Sequence, residues 1–301
     1  MATKANSVDM LIIGGSDDFN IKYLYERARQ LGIDAIPQIF TVQNRPRISY
    51  DVLNNSFTIN DIPIQARSAF IRPHMHLANN EKKIADYKIS SEWFSIYMGW
   101  ILSNKDILVF NRRFFTGNTV NKLFTLRRAL EVGFEVPETY YTNDINFITQ
   151  KTLKNDFIQK PVDGGDHTKE ISELTENVKQ DQESLNRAIT FQEKLETPEM
   201  RIFRVGNQQL AFDLYCDDLD YRVQQNAKLE YRGENIPEDL AKMNFELTEA
   251  LGLEFAATDL KVCSKTGGYK ILEVNSGPMF KGFDQVANGK LTSAILENLL
   301  L

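Results

Sequence analysis

Apolar and polar positions along the chain follow two rhythms, one of strands and one of helices. Residues 9–14 (Asp-Met-Leu-Ile-Ile-Gly) form a short continuous apolar run, the pattern of a strand buried on both faces. From Asn20 to Leu31 apolar residues recur at Ile21, Leu24 and Ala28, and Gly32 follows. That spacing predicts a helix with a glycine stop. Ile33 to Phe40 returns to strand character, so the opening reads as an α/β unit around a parallel sheet. Residues 48–71 predict short strands and turns. Residues 79–103 predict a long helix with Trp93, Phe94, Tyr97 and Trp100 as a core stripe, and 107–110 (Ile-Leu-Val-Phe) a further strand. The first lobe should end near residue 115.

A second unit begins at Thr116. Val120, Leu123, Phe124, Ala129 and Leu130 lie at helical spacing, with Gly133 as a stop and Pro137 beyond it. Then come Phe-Ile-Gln-Lys at 157–160, a loop over 161–170, and Thr-Phe-Gln-Glu-Lys-Leu at 190–195. Residues 201–215 predict two strands joined by Gly206-Asn207, a tight hairpin signal. Pro237 opens a helix with Leu240, Met243, Leu247, Ala250 and Leu251 on one face, ending at Gly252. Two strands follow, at 255–263 and 269–275. No internal repeat or low-complexity tract interrupts the pattern.

Composition narrows the class. With 301 residues, 42% hydrophobic and 25% charged, the chain can bury a substantial core. A formal charge of −6 makes it a poor partner for nucleic acid. No run of about eighteen apolar residues is present, so no membrane-spanning helix is expected. The first apolar stretch is also too short for a signal peptide. Cys216 and Cys263 build no disulfide framework, and a reduced cytoplasm is the simple expectation. Three histidines (His74, His76, His167) do not suggest a zinc centre. Gly14-Gly15-Ser16 lies where a phosphate could be cradled but lacks the GxGxxG spacing, and a tight turn is the plainer reading.

The most specific chemistry lies in the last two strands. Side chains alternate faces along a strand, so Glu273 and Asn275 share one face. If the connecting loop has an odd number of residues, for instance Lys265-Thr266-Gly267, Asp259 falls opposite Glu273. Two carboxylates and an amide oxygen would then converge, a set of hard donors suited to Mg2+ beside phosphate oxygens. Without a cation the two acids would repel. The bland alternative is one acid solvated at a strand end.

Residues 251–289, from Leu-Gly-Leu-Glu-Phe-Ala-Ala-Thr-Asp through Leu-Glu-Val-Asn-Ser-Gly-Pro to Val-Ala-Asn-Gly, resemble the C-terminal signature of ATP-grasp ligases. The likeness is nearest the branch of ribosomal protein S6 glutamate ligases and microviridin-type (graspetide) peptide ligases, and it extends over roughly 115–295. It implies an α/β fold of three lobes: a Rossmann-like N-terminal lobe over 1–115, a central lobe over 116–195 and a C-terminal lobe over 196–301. It also implies Asp259, Glu273 and Asn275 as metal ligands, with Lys122 and Lys160 on ATP phosphates. Gln192, Glu193 and Leu195 fall at the interlobe hinge. There the Glu193 carbonyl and the Leu195 N–H would read adenine, and Glu199 would hold the ribose. Arg201 and Arg222 match arginines aimed at the transferring and acyl phosphates, with Asn226 a weaker companion; a guanidinium fork suits phosphate. Gly164 and Gly165 retain the backbone freedom of a phosphate-covering loop, though Asp163 and Asp166 beside them depart from the family pattern.

The implied reaction is carboxylate activation by ATP with Mg2+ (Mn2+ as a substitute). It passes through an acyl phosphate that an amine or hydroxyl then attacks. No protein nucleophile is required, which agrees with the absence of a Ser/His/Asp or Cys/His constellation. The carboxylate could be a small molecule or a peptide. No nucleic-acid or membrane partner is expected, and a homo-oligomer stays open. Arg72 with His74 and His76, or Arg112-Arg113, could hold a substrate carboxylate or else tie the lobes by ion pairs. A non-catalytic nucleotide-binding or scaffold protein on the same fold stands as the alternative, and a biotin-carboxylase-like enzyme as a third reading.

Overall fold

The computed structural model describes residues 6–15, 18–40, 46–72, 81–117, 121–152, 156–162, 168–171, 183–215, 228–263 and 267–300. Gly164, Gly165, Arg222 and Asn226, together with the three histidines, lie outside the described residues.

The apolar run at the start becomes β1 (Asn6–Gly15), which lies parallel between β2 (Ala35–Phe40) and β5 (Ile62–Ile71). Met10 to Ile13 are fully buried there, as a central parallel strand requires. β3 (Ile48–Asp51) and β4 (Ser56–Ile59) extend the sheet antiparallel, and β6 (Leu108–Val109) pairs with β5. α1 (Phe19–Gln30) buries Ile21, Leu24 and Ala28, the positions its spacing predicts. Asp18 caps it, accepting from the Asn20 N–H at 2.9 Å. α2 (Glu81–Ser103) buries Tyr97 and Trp100, and Trp100 stacks on Phe57 at 4.4 Å.

Gly14 has a packing reason rather than a phosphate-binding one. A Cβ there would lie 2.6 Å from Cγ1 of Ile21, so the glycine lets α1 approach β1.

After α3 (Arg112–Gly117) and α4 (Lys122–Glu131) comes the second sheet, in the order β7-β10-β8-β9. Its strands are β7 (Thr139–Asp144), β8 (Phe157–Lys160), β9 (Lys169–Glu170) and β10 (Ser184–Glu193), all antiparallel to their neighbours. One face packs Phe157 against Phe191, stacked at 4.2 Å, over Ile148 of α5 (Ile145–Thr152). Period-2 alternation then turns Thr139, Tyr141, Thr190, Gln192 and Lys160 to the opposite face.

The third sheet runs β13-β12-β11-β14-β15. These are β11 (Glu199–Val205), β12 (Gln208–Tyr215), β13 (Lys228–Gly233), β14 (Phe255–Val262) and β15 (Tyr269–Asn275). Gly206 takes φ +59° in the two-residue turn between Val205 and Gln208, the left-handed region that a tight hairpin needs. The helices α6 (Glu238–Ala250), α7 (Lys281–Val286) and α8 (Lys290–Leu300) complete the chain. One sheet face packs Met200, Ile202 and Leu260 with Leu126 and Ala129 of α4 and Leu240 and Leu247 of α6. The other packs Phe203, Phe212 and Phe255 with Phe280, Leu291 and Ile295, with Met10 and Phe70 of the first sheet, and with Ile21 of α1. First and third sheets therefore share one core.

Two buried polar side chains stitch that contact. Arg72 pairs with Asp18 at 2.7 Å and donates to the carbonyls of Gly277 (2.9 Å) and Pro278 (2.6 Å). Asn111 donates to the carbonyls of Phe255 and Ser276 and accepts the Phe255 N–H at 2.8 Å. Arg112 is spent on the carbonyls of Ile101, Leu102, Asn104 and Ile107, and Arg113 on Glu249. Arg72 and Arg113 thus tie the first sheet's unit to the third, whereas Arg112 bonds only within its own unit, to carbonyls of residues 101–107.

Candidate functional site

Along one face of the third sheet, chemistry changes with position. Phe203, Val205, Phe255 and Ala257 are core, while Glu199, Arg201, Asp259 and Lys261 continue the same face as charges. The antiparallel register sets Arg201 opposite Asp259 and Glu199 opposite Lys261, so unlike charges face each other across the strands.

Asp259 also lies opposite Glu273, and Ala257 opposite Asn275. The route to this register corrects the odd-loop expectation. Cys263 pairs with Gly268 (N–H to carbonyl, 2.8 Å), which leaves residues 264–267 as the connection, an even number. From Val262 to Leu260 the pairing follows that loop, with Leu260 opposite Ile271. Continued unchanged, it would set Asp259 against Leu272. A shift between Leu260 and Asp259 leaves Leu272 as the extra residue and brings Glu273 into place. A β-bulge re-aims the acid.

The Asn275 amide donates to Oδ2 of Asp259 at 3.0 Å and to Oε1 of Glu273 at 3.3 Å, so both carboxylates converge on it. Their repulsion is offset by basic side chains. Arg201 grips both oxygens of Asp259 at 2.5 and 2.8 Å, and Lys122, first residue of α4, lies 3.3 Å from Glu273. Burial pushes the Asp259 carboxyl up, against the pull of Arg201. Burial works the same way on Glu273, but Lys122 and Lys160 outweigh it and hold that carboxyl below its usual range.

Across from this cluster Lys160 ends β8, donating to Oε1 of Gln192 at 2.8 Å, while Gln192 donates to Thr139 at 3.0 Å. Burial is the main cause that lowers Lys160 to about 8, with Glu273 and Glu199 opposing it. Glu199 is pushed up to about 7 by burial and by Asp259, against Arg201, Lys261 and Lys160. Lys122, Lys160, Gln192, Glu199, Arg201, Asp259, Glu273 and Asn275 are thus brought together. Where β10 ends, the Glu193 N–H donates to the Glu138 carbonyl at 2.8 Å and the Lys194 N–H to that of Asp156 at 2.9 Å; Leu195 follows, half-buried.

Two lysines of the site escaped sequence reasoning. Lys261 shares the face of Asp259 two residues on, a period-2 signal that was readable. Lys270, which pairs with Glu193, gave no signal, because its partner is 77 positions away.

Among the described residues, no three His, Cys, Asp or Glu side chains gather as a metal centre. The donor set is two carboxylates and an amide. It fits Mg2+, which fills its remaining positions with water and phosphate oxygens. For Asn275 to serve as a ligand its amide must turn, since it now presents NH2 to the acids.

No family model and no curated protein matches the chain. Solved structures do. The ATP-grasp ligase PsnB, complexed with a minimal precursor, Mg and ADP, matches with TM-score 0.75 and 22% identity, over 99% of this chain and 99% of that one. The macrocyclase MdnC from Microcystis aeruginosa MRC, bound with precursor peptide MdnA, gives 0.72 and 17%, over 97% and 99%. D-alanine–D-alanine ligase from Bacillus anthracis, complexed with ATP, gives 0.56 and 15%, over 99% and 98%. At these identities the likeness shows the fold: the chain has the ATP-grasp fold.

Proposed function

We propose that the chain is an ATP-dependent ligase that activates a carboxylate of a peptide substrate and joins it to an amine or hydroxyl. The observation that carries this reading is one cluster. Asp259 and Glu273 converge on Asn275, with Arg201, Lys122 and Lys160 within reach. PsnB and MdnC, whose fold it shares, were solved with precursor peptides, which supports a peptide over a small acid.

In this reading Lys122 and Lys160 bind the ATP phosphates, Glu199 accepts the ribose hydroxyls, and the backbone of Glu193 and Leu195 meets the adenine edge. Asp259, Glu273 and a turned Asn275 would hold Mg2+ (or Mn2+), which when bound supplies charge neutralisation at the phosphates. A substrate carboxylate oxygen attacks the γ-phosphorus, and ADP leaves. The acceptor then attacks the acyl carbon, and phosphate leaves. Arg201, and Arg222 with it, stabilise charge on the transferring group. Gly164 and Gly165 cover the phosphates. Lobes at 1–115, 116–195 and 196–301, each carrying one of the three sheets, are part of the proposal, as is a reduced, cytoplasmic setting in which the buried Cys263 remains a thiol. Intact acids and lysines weigh against a scaffold role.

The test is ADP release from Mg2+-ATP with acidic peptides present, with mass spectrometry for loss of one water per bond formed. Glu273→Gln should abolish both while circular dichroism stays unchanged. Absence of nucleotide binding and of ADP release with every carboxylate offered would overturn the proposal.

A further inference from the structure

The chain crosses twice between the second and third sheets, and Lys270 of β15 touches both crossings. On the way from α4 to β7, Glu135 pairs with Lys270 as an isolated parallel bridge, and the neighbouring Ile271 N–H donates to the Glu135 carbonyl at 2.9 Å. On the way from β10 to β11, the Lys270 ammonium lies 2.7 Å from Oε2 of Glu193. That same oxygen accepts the Glu138 N–H at 3.2 Å. The two side chains are only 14% and 15% exposed. One carboxylate is therefore held from the second sheet by an amide and from the third by an ammonium.

We propose that Lys270 is the pin of the interlobe hinge, a positioning residue that fixes the backbone of Glu193 to Leu195 through the Glu193 carboxylate. This rests on the proposed role of that backbone in reading adenine. A buried, paired lysine can hold a hinge in this way because severing one partner leaves the other charge stranded, so the paired geometry is strongly preferred. Glu193 outweighs the effect of burial and holds the Lys270 ammonium above its usual range. Lys270 lies before the bulge in β15, and Glu273, the partner of Lys122, lies beyond it. Loss of Lys270 should therefore affect the base and spare the phosphates.

The experiment uses the full chain and calorimetric titration with Mg2+-ADP and with Mg2+-tripolyphosphate, which lacks the base. Lys270→Met and Glu193→Gln should each weaken ADP by roughly tenfold, the scale of one lost backbone hydrogen bond to the base. Tripolyphosphate affinity should not move. The double variant should be no weaker than either single one, and Lys270→Arg should recover most of the loss. If Lys270→Met does not fold, the near-isosteric Glu193→Gln gives the same reading. Unchanged ADP affinity in folded variants would refute the pin, and so would a parallel loss of tripolyphosphate, which marks general damage. If the wild type binds tripolyphosphate but not ADP, the adenine reading itself fails, and the pin with it.

Discussion

Lys122→Met should strengthen metal binding in the absence of nucleotide and weaken nucleotide binding, two effects of opposite sign from one substitution. The Lys122 ammonium lies 3.3 Å from Oε2 of Glu273, where, on the proposed reading, a metal would sit. The two side chains are 30% and 33% exposed, so solvent screens the pair. At that distance the attraction is about 1 to 2.5 kcal/mol for effective dielectrics between about 80 and about 40. A metal ion seating on Glu273 must displace this ammonium and then tolerate it nearby. Removing it should therefore raise metal affinity by about five- to seventy-fold. Arg201 still grips Asp259 in the variant, so unmasking is only half complete. Titration of nucleotide-free protein with Mn2+, followed by electron paramagnetic resonance, reads the gain. Titration with ATP reads the loss, about 1.5 to 3 kcal/mol for one charge-assisted phosphate contact. A variant that binds Mn2+ no better than wild type would refute the idea that Lys122 masks the site.

Replacing Arg72 with Met strands Asp18, which is 6% exposed, and frees two carbonyls, so stability should fall by about 3 to 5 kcal/mol; an unchanged urea midpoint would exclude the tying role. The pH dependence of the unliganded chain has a sign fixed by two groups. Glu199 rises from 4.5 unfolded to about 7 folded, so stability falls as pH climbs between those values. Lys160 drops from 10.5 unfolded to about 8 folded, so stability recovers as pH climbs from about 8 to 10.5. The minimum should lie near pH 7 to 8, and Glu199→Gln should flatten the acid limb of melting temperature against pH; an unaltered slope would assign that limb to other groups.

What could be read before the structure was local and periodic. Ile21, Leu24 and Ala28 predict the buried stripe of α1 at 3.6-residue spacing, and Gly206-Asn207 predicts a two-residue turn. Alternation alone puts Glu273 and Asn275 on one face. What could not be read depends on distance or on local irregularity. The bulge at Leu272 has no residue signature, since leucine is at home in any strand, and parity counting therefore placed the correction in the loop. Arg72 looks the same in sequence whether it meets a substrate or a main-chain carbonyl 206 positions away. Gly14 resembles part of a phosphate loop because a close helix–strand approach asks for the same residue.

The site can exist before any ligand arrives because its charges nearly cancel. Glu199, Asp259 and Glu273 face Lys122, Lys160, Arg201 and Lys261; Arg201 and Asp259 are buried and the others half-buried, so an unmatched charge at the buried pair would cost several kcal/mol. Pairing Arg201 with Asp259 and Lys122 with Glu273 meets that cost inside the chain. On the proposed reading, an incoming triphosphate would offer the lysines and arginine new anionic partners, and the acids released from them would be free to hold a divalent cation. Exchange of partners, rather than assembly of new charge, would then admit nucleotide and metal together. The apolar half of the same sheet face, locked to the first sheet through Phe203 and Phe255, keeps the strands in register while that exchange occurs.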